Sequence, residues 1–310
     1  MTGADATPDV TALIVTWRSR ELLERCLAAL DRHAPTGRAM EIVVVDNDSR
    51  DGTVEYLRDA RPDVRLLANE ENVGYTRANN QGLAIARGRQ ILLINADAFL
   101  TAGAADALLA ALESDPRVAV AGPRLAFGDG SWQRWTAGRE PSLVAAANHY
   151  LFLERLSPRL RGLYLGADTR EARTVDWVSS ACMVVRADAM RAVGGMDERL
   201  FTYMDDVDLC RRLRERGWLV RYDPRAQVTH LMGGGTGGIA SAAAIRSFNA
   251  YFARRHGRGA ALALRALQTV GFAVRAFAYA GAAALRGDGA LRTRAAGHWR
   301  SLRLLWEARA

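Results

Sequence analysis

Polar side chains stand at the ends of three apolar, strand-like runs in the first third of the sequence. Thr16 closes the first run, Asp46 and Asn47 follow the second, and Asn95-Ala96-Asp97 follows the fourth. A carboxylate after the second run can accept a hydrogen bond from a nucleobase imide or a ribose hydroxyl. One after the fourth can hold a hard divalent cation, which prefers oxygen ligands. Singly, each residue also fits a turn or a helix cap; together, at one edge of a sheet, they favour a ligand site.

The loop after the first run excludes two common phosphate-binding devices. It reads TWRSRE rather than GxGxxG, and GxxxxGK[ST] occurs nowhere in the chain. A dinucleotide site of the usual kind and a P-loop are therefore disfavoured. If a diphosphate binds here, a metal must offset much of its charge.

The elements that must position these residues alternate between strand and helix. Strands are predicted at 10–17, 41–46, 64–68, 90–95 and 118–122, and helices at 21–33, 51–60, 76–87 and 104–114. This alternation predicts βαβ units and a mostly parallel sheet with helices on both faces. Ligands of such sheets bind beyond the carboxyl ends of the strands.

The second half has a less regular pattern. Residues 124–175 show no clear period, then strands are predicted at 178–186, 218–222 and 226–231, with a helix at 206–216. GGGTGG at 233–238 is typical of a flexible linker or a loop that closes over a ligand. We expect one domain over 1–240, with a nucleotide-binding half at about 10–122 and an acceptor half at about 123–240, followed by a helical tail over 241–310.

The charge is concentrated in that tail. Of 42 basic residues, all Arg, twelve lie in 241–310 beside only Asp288 and Glu307, whereas residues 1–240 hold 30 Arg and 32 acids. The three cysteines are widely spaced and predict reduced cytosolic thiols. The first ten residues, MTGADATPDV, do not suggest a secretory signal, and with no run of 18 apolar residues a membrane span is not expected.

Five ordered motifs carry a family resemblance. They are VTALIVTWRSRELLERCLAAL, EIVVVDNDSRDGTVEYL, NEENVGYTRANNQGLAIARGRQILLINADAFL, GGMDERLFTYMDDVDLCRRLRERGW and the final VTH. From Val10 to His230 the chain resembles a family 2 glycosyltransferase of the GT-A type, and its rhamnosyltransferase-like branch most of all. The resemblance implies an α/β GT-A fold and an enzyme that uses a nucleoside-diphosphate sugar and a divalent metal, Mg or Mn.

The resemblance also implies roles for individual residues. Thr16 and Asp46 match positions that hold the base and ribose of the nucleotide. Four residues of a single motif match positions that line the donor site: Asn69, Gly74, Arg77 and Asn80. Asp97 matches the last residue of the metal-binding DxD, whose first position is Asn95 here. His230 matches a histidine that reaches the metal in some members.

The candidate residues of the acceptor site include an acidic cluster at the start of a predicted helix. Asp206 matches the general base, and Asp205 stands where Glu is often found. A structural alternative is that Asp205 caps the helix with Asp208 at its third position. Trp177 is a candidate for stacking on an acceptor sugar, although tryptophan is more often a core residue.

The tail suggests an amphipathic helix. On a helical wheel, Arg265, Gln268, Arg275 and Arg286 fall within an arc of about 80° beside a wide apolar face. With Arg254, Arg255 and Arg258 this predicts peripheral membrane contact through 254–286, and packing on the domain or in a dimer is the alternative.

The sequence thus predicts an inverting transferase in the cytoplasm, at the inner face of the plasma membrane, that glycosylates a glycan or a lipid-linked acceptor. The donor would be dTDP-rhamnose or a UDP-sugar, and GDP-sugars remain open. A nucleotide-sugar-binding protein without turnover is the alternative. No nucleic-acid partner is expected, because no helix-turn-helix, zinc-finger or RNP pattern occurs.

Overall fold

The computed structural model describes residues 7–157, 159–165, 170–232 and 242–307. The chain forms two units, one of Met1–Gly138, Leu165–Phe201 and Asp205–Gly233, the other of Arg139–Tyr164, Thr202–Met204 and Gly234–Ala310. Residues 139–164, assigned to the acceptor half from the sequence, therefore group with the C-terminal helices. The GGGTGG segment lies outside the described residues.

The first unit is built on four parallel strands that confirm the predicted βαβ pattern. They are β1 (Val10–Thr16), β2 (Met40–Asp46), β3 (Arg65–Ala68) and β4 (Gln90–Ile94), in the order β3-β2-β1-β4. Their residues are mostly aliphatic and β1, β2 and β4 are largely buried, as helices on both faces of a sheet require. The register pairs Thr16 with Asp46 and Asp46 with Ala68, so three strands end level with one another.

Helices α1 (Arg20–Arg32), α2 (Thr53–Ala60), α3 (Tyr75–Ile85) and α4 (Ala104–Glu113) follow these strands, close to their predicted bounds. The apolar stripe of α1 is buried at Leu23, Cys26, Leu27 and Leu30, as its spacing predicts. The N-cap of α2 is Gly52, and the Asp51 carboxylate accepts a hydrogen bond from the Thr53 amide. All three cysteines are free and buried.

The rest of the sheet is mixed, so the expectation of a mostly parallel sheet is correct only for its first part. Here lie β5 (Ala98–Leu100), β6 (Val118–Ala126), β8 (Arg173–Val175), β10 (Cys182–Arg186) and β11 (Leu219–His230). Strand β10 runs antiparallel to both β4 and β6, and β11 is parallel to β6 but antiparallel to β5 and β8. Strand β10 can reverse direction because a long irregular excursion, rather than a helical crossover, leads into it.

Two strands predicted in the last part of this unit are one. Strand β11 continues through Pro224 with an irregularity in its pairing between Asp223 and Gln227. The missing Pro amide is tolerated at such a bulge. A two-stranded sheet of β7 (Ala137–Gly138) and β9 (Trp177–Val178) and the helices α6 (Ala187–Ala192) and α7 (Asp205–Arg214) complete the unit.

The second unit is helical, as the sequence predicts. It contains α5 (Leu143–Tyr150), α8 (Ala242–Arg286) and α9 (Gly289–Glu307). Gly257, with φ 83°, interrupts α8 in a conformation that favours glycine. By length and composition alone α8 could cross a membrane, which was not expected from the sequence; core helices of soluble proteins pass the same test.

The polar side chains of α8 contact other parts of the unit. The Arg265 guanidinium donates to the Leu305 carbonyl at 2.6 Å, and Arg275 donates to the His149 and Tyr150 carbonyls at 3.0 and 3.2 Å. Gln268 is buried and donates to the Tyr150 hydroxyl. Arg265, Gln268 and Arg275 therefore pack inward against α5 and α9, because long polar side chains can satisfy backbone carbonyls there, whereas Arg286 is exposed.

Candidate active site

The carboxyl ends of β1 and β2 hold a buried carboxylate with a free acceptor atom. Asp46 is 1% exposed, and its Oδ2 accepts a hydrogen bond from the Ser49 amide at 3.1 Å. Its Oδ1 is also buried and has no hydrogen-bond partner among the described residues. A buried acceptor without a donor is unfavourable, so this atom is suited to a ligand N–H or O–H. Beside it, the Thr16 hydroxyl lies 3.1 Å from the Ser19 hydroxyl.

The loop between β3 and α3 is held by a network of amide side chains. Asn47 Oδ1 accepts hydrogen bonds from Asn69 Nδ2 and the Val73 amide, both at 3.1 Å. Asn47 Nδ2 donates to the Gly74 carbonyl at 3.3 Å. Asn69 thus shapes the loop through protein contacts, and Asn47, to which the sequence assigned no role of its own, is the centre of the network.

Gly74 cannot be replaced by a larger residue without rearrangement. Its φ is 89°, and a Cβ there would lie 2.7 Å from the Phe201 ring. The next amide, that of Tyr75, donates to the Phe201 carbonyl at 2.8 Å. Glycine therefore lets the start of α3 and Phe201 approach closely.

Further along, α3 is tied to the segment that precedes Phe201. The Thr76 hydroxyl donates to the Leu200 carbonyl. Asn80 donates to the Met196 carbonyl at 2.9 Å and accepts from the Met196 amide at 2.8 Å. Asn80 is thus engaged with backbone, whereas Arg77 is exposed and makes no hydrogen bond or ion pair within the described part of the chain. Of these motif residues, Arg77 is the one available to an anionic ligand.

Asp97 and His230 are adjacent, as the resemblance implies. Asp97 Oδ1 lies 3.4 Å from His230 Nε2. On its other side, His230 Nδ1 lies 3.0 Å from Gln133 Oε1, while Gln133 Nε2 donates to the His230 carbonyl at 2.6 Å. Gln133 thus fixes the ring orientation, with Nε2 toward the Asp97 carboxylate. A carboxylate oxygen and an imidazole nitrogen placed side by side can serve as ligands to one cation.

A divalent metal fits this pair if substrate supplies further ligands. Carboxylate and imidazole are both metal ligands, and Mg²⁺ is commonly held by one or two carboxylates together with substrate phosphates. Within the described ranges no group of three or more His, Cys, Asp or Glu could hold a metal without such help. The first position of the motif, Asn95, has its Oδ1 3.1 Å from the Tyr75 hydroxyl.

The acidic pair lies at the start of α7 and is held by Ser180. The Asp205 carboxylate is buried and accepts from the Ser180 hydroxyl at 2.7 Å. Asp206 accepts from the Val207 amide at 2.8 Å and the Ser180 amide at 3.4 Å. Asp205 is the first residue of α7, so it does not occupy the N-cap position of the structural alternative. Asp208 instead pairs with Arg211 and Arg212.

Asp206 has the protonation behaviour of a base. Burial, and secondly the charge of Asp205, raise the pKa of Asp206 from 3.8 to about 7. A carboxylate with a pKa near neutrality can take a proton and is still about half ionised near pH 7. The first turn of α7 brings Asp205 and Asp206 together.

Tyr75 connects the two sides of the site. Its hydroxyl lies 3.1 Å from both Asn95 Oδ1 and the Ser180 carbonyl. Burial, together with the charges of Asp205 and Asp206, raises the pKa of Tyr75, so the hydroxyl stays a donor. Tyr75, Ser180 and Gln133 had no role in the sequence analysis. Trp177, by contrast, is 5% exposed in β9, which leaves little ring surface for stacking on a sugar.

Comparisons with known proteins identify the family of the chain. The family described as Glycosyl transferase family 2 matches residues 11–193. The N-acetylglucosaminyl-diphospho-decaprenol L-rhamnosyltransferase of Mycobacterium tuberculosis is 35% identical over 245 residues, which covers 74% of this chain and 78% of that protein.

Solved structures share the fold. The mannosyltransferase PcManGT from Pyrobaculum calidifontis, in complex with GDP-Man and Mn2+, superposes with a TM-score of 0.60 at 19% identity, over 98% of this chain and 89% of its own. GalNAc-T7 with UDP, GalNAc and Mn2+ gives a TM-score of 0.56 at 13% identity, over 78% of this chain and 48% of that chain. The fold is that of GT-A enzymes, and the chain belongs to glycosyltransferase family 2.

Proposed function

We propose that this glycosyltransferase moves a sugar, with inversion, from a nucleoside-diphosphate sugar to an acceptor hydroxyl, and that Asp206 is the general base. The observation that carries the proposal is the position of Asp206, which accepts from the Ser180 amide, while the Tyr75 hydroxyl contacts both the Ser180 carbonyl and Asn95 of the Asn95-Ala96-Asp97 motif. Burial and the charge of Asp205 raise the pKa of Asp206 to about 7 there. A free hydroxyl is a poor nucleophile, so a carboxylate ready to remove its proton is what the reaction needs.

The proposed step needs no covalent intermediate. The acceptor O–H gives its proton to the Asp206 carboxylate while its oxygen bonds to the anomeric carbon. The bond from that carbon to the diphosphate oxygen breaks, and the nucleoside diphosphate leaves with the electron pair. If Asp206 lies opposite the leaving group, one displacement inverts the anomeric centre, and no second carboxylate acts as nucleophile.

The donor half of the proposal rests on residues 10–122. The unpartnered Oδ1 of Asp46 accepts a hydrogen bond from the nucleoside, with Thr16 beside it, and the exposed Arg77 attracts the diphosphate. Asp97 and His230 hold a divalent metal, Mg or Mn. Bound there, the metal offsets charge on the departing diphosphate. Asn69, Gly74 and Asn80 keep the loop and α3 in shape. Asp205 positions Ser180 beside the acceptor hydroxyl.

The name of the Mycobacterium tuberculosis relative suggests the substrates. We propose dTDP-rhamnose, or a UDP-sugar, as donor, and a glycan or lipid-linked acceptor in cell-envelope polysaccharide synthesis. Such an acceptor fits a cytoplasmic enzyme in peripheral contact with the inner face of the plasma membrane. A nucleotide-sugar-binding protein without turnover is the second candidate, favoured by Asn95 in place of the first aspartate of the motif.

Thermal shift with UDP, dTDP, GDP and NAD, each with and without Mg²⁺ or Mn²⁺, tests the donor site. A ligand of the folded state raises the melting temperature by mass action. We expect one nucleoside diphosphate to stabilise the protein, more strongly with metal, and NAD to have no effect. Stabilisation by none of them would overturn the donor assignment. Release of nucleoside diphosphate that depends on added acceptor then separates the enzyme from a binding protein.

A further inference from the structure

Helix α8 exposes an apolar side beyond Gly257. Leu262, Phe277 and Leu285 are 66%, 65% and 90% exposed, and Val270 and Val274 are each about half exposed. These positions differ by eight, four, three and eight residues, which places them on one side of the helix. We call these five residues, together with Trp299 and Trp306 of α9, the apolar face.

No charge lies on this side of α8. Between Gly259 and Leu285 the charged residues are Arg265 and Arg275, and both donate to backbone carbonyls within the unit. The buried side of the helix therefore carries Gln268 and the two inward-donating arginines beside Leu264 and Phe272, while the exposed side is apolar. An exposed side that is apolar and uncharged is not what a helix facing water requires.

Helix α9 extends the apolar face with two tryptophans. The ring of Trp299 meets that of Phe277 edge-on, with centroids 5.0 Å apart. Trp306 is 55% exposed, and its indole N–H donates to the Thr269 hydroxyl at 3.2 Å. Between the two indoles lies an open depression of about 480 Å³. Tryptophan with one side apolar and one polar is typical of the boundary between lipid and water.

Arginines surround the apolar face. Nine are exposed in these two helices, and across the described part of the tail the acids are Asp288 and Glu307. The nine are Arg246, Arg254, Arg255, Arg258, Arg286, Arg292, Arg294, Arg300 and Arg303. A second copy of the chain would bring a surface of the same charge against this one, whereas an anionic surface complements it.

We infer that the apolar face lies in the interface of an anionic membrane, with the surrounding arginines among the lipid headgroups. This specifies the peripheral contact of the proposed function: the outward residues of α8 and the indoles of α9 enter the lipid, and the polar stripe of α8 does not. The inference depends on the C-terminal helices alone. It stands or falls separately from the transfer reaction.

The test is flotation of the full chain with two kinds of vesicle, phosphatidylcholine alone and an equimolar mixture with phosphatidylglycerol. We expect binding to the mixed vesicles that weakens as salt is raised. Val270→Asp with Val274→Asp should lower the partition coefficient by about tenfold for each residue, because a valine side chain is then withheld from lipid. Arg292→Gln with Arg300→Gln should lower it by about fivefold for each arginine, on anionic vesicles alone.

The matched control is Val144→Asp on α5, a helix that packs against the buried side of α8. Val144 is 71% exposed, so the same substitution should fold and bind vesicles like the wild type. Nucleotide-dependent thermal shift should be the same in all variants, which separates this inference from the donor site. Equal binding by wild type and the Val270/Val274 variant would overturn it. So would retention in the membrane after alkaline carbonate, which indicates a span, or a wild-type dimer that this variant dissociates without vesicles.

Discussion

Replacing Asp206 with Asn should abolish turnover and stabilise the fold at the same time. The substitution keeps the size of the side chain and removes the charge. Loss of a general base lowers the rate by on the order of 10² to 10⁴. The same charge is held next to Asp205 in a buried setting, so its removal relieves an unfavourable interaction in the folded state.

The magnitude follows from the pKa of Asp206. It rises from 3.8 to about 7 on folding, and each unit corresponds to about 1.4 kcal/mol, so ionised Asp206 destabilises the fold by at most about 4 kcal/mol. The folded state holds the proton more tightly than the unfolded chain. The wild type therefore loses this stability as the pH rises from about 4 through about 7. The asparagine of the variant does not titrate in this range. The stability that the variant gains over wild type is therefore absent below pH about 4 and constant above about 8.

Urea denaturation of both proteins across this pH range measures the difference in the free energy of unfolding. Asp208→Asn is the matched control, since it lies on the same turn of α7 but loses ion pairs with Arg211 and Arg212. That variant should be less stable than wild type at pH about 7, by about 1–3 kcal/mol. An Asp206→Asn protein whose stability relative to wild type did not change with pH would refute the perturbed pKa. Retained turnover would refute the role of base.

Three further predictions concern the donor side. Asp46→Ala should weaken binding of the preferred nucleoside diphosphate by about 10- to 100-fold in calorimetric titration, because a charged hydrogen-bond acceptor is lost; unchanged affinity would remove Asp46 from the donor site. Gly74→Ala should lower the free energy of unfolding by about 1–3 kcal/mol in urea, since the new Cβ meets the Phe201 ring at 2.7 Å in a left-handed conformation; a stability equal to wild type would contradict the close packing. Asp97→Asn should leave nucleotide binding without metal intact but abolish the added stabilisation by Mn²⁺ in thermal shift; persistence of that increment would place the metal elsewhere.

Much of the fold could be predicted because its signals are local. The runs of β1, β2 and β4 are continuous aliphatic segments, and the stripe of α1 repeats at helical spacing, so element type follows from a few neighbouring residues. The direction of β10 could not be predicted in this way. The chain reaches β10 through an irregular excursion. A parallel direction would follow from a helical crossover, and none precedes this strand in the described part of the chain.

The residues of the site likewise divide into those with a local sequence signal and those without one. Residue types at the ends of strands pointed to Asp46 and Asp97, but Gln133 is 97 positions from His230 and has no motif that marks it. Asn69 and Asn80 look like ligand groups in the motif, yet an amide hydrogen-bonds as readily to the protein as to a ligand. The side on which α8 packs could not be predicted, because its wheel shows only the separation of polar from apolar residues. Which side turns inward depends on carbonyls of other helices.

The bonds between α3 and residues 196–201 have a consequence for how such an enzyme can diverge. Tyr75, Thr76 and Asn80 together fix that segment at three successive points, and Asp205 and Asp206 follow it closely in the chain. Helix α3 also carries Arg77, so in the proposed site one helix connects the residue that would meet the diphosphate with the segment that leads to the base. Mutations that shift α3 would then move both together. Changes in donor or acceptor preference that leave α3 in place would keep the spacing of the proposed reacting groups.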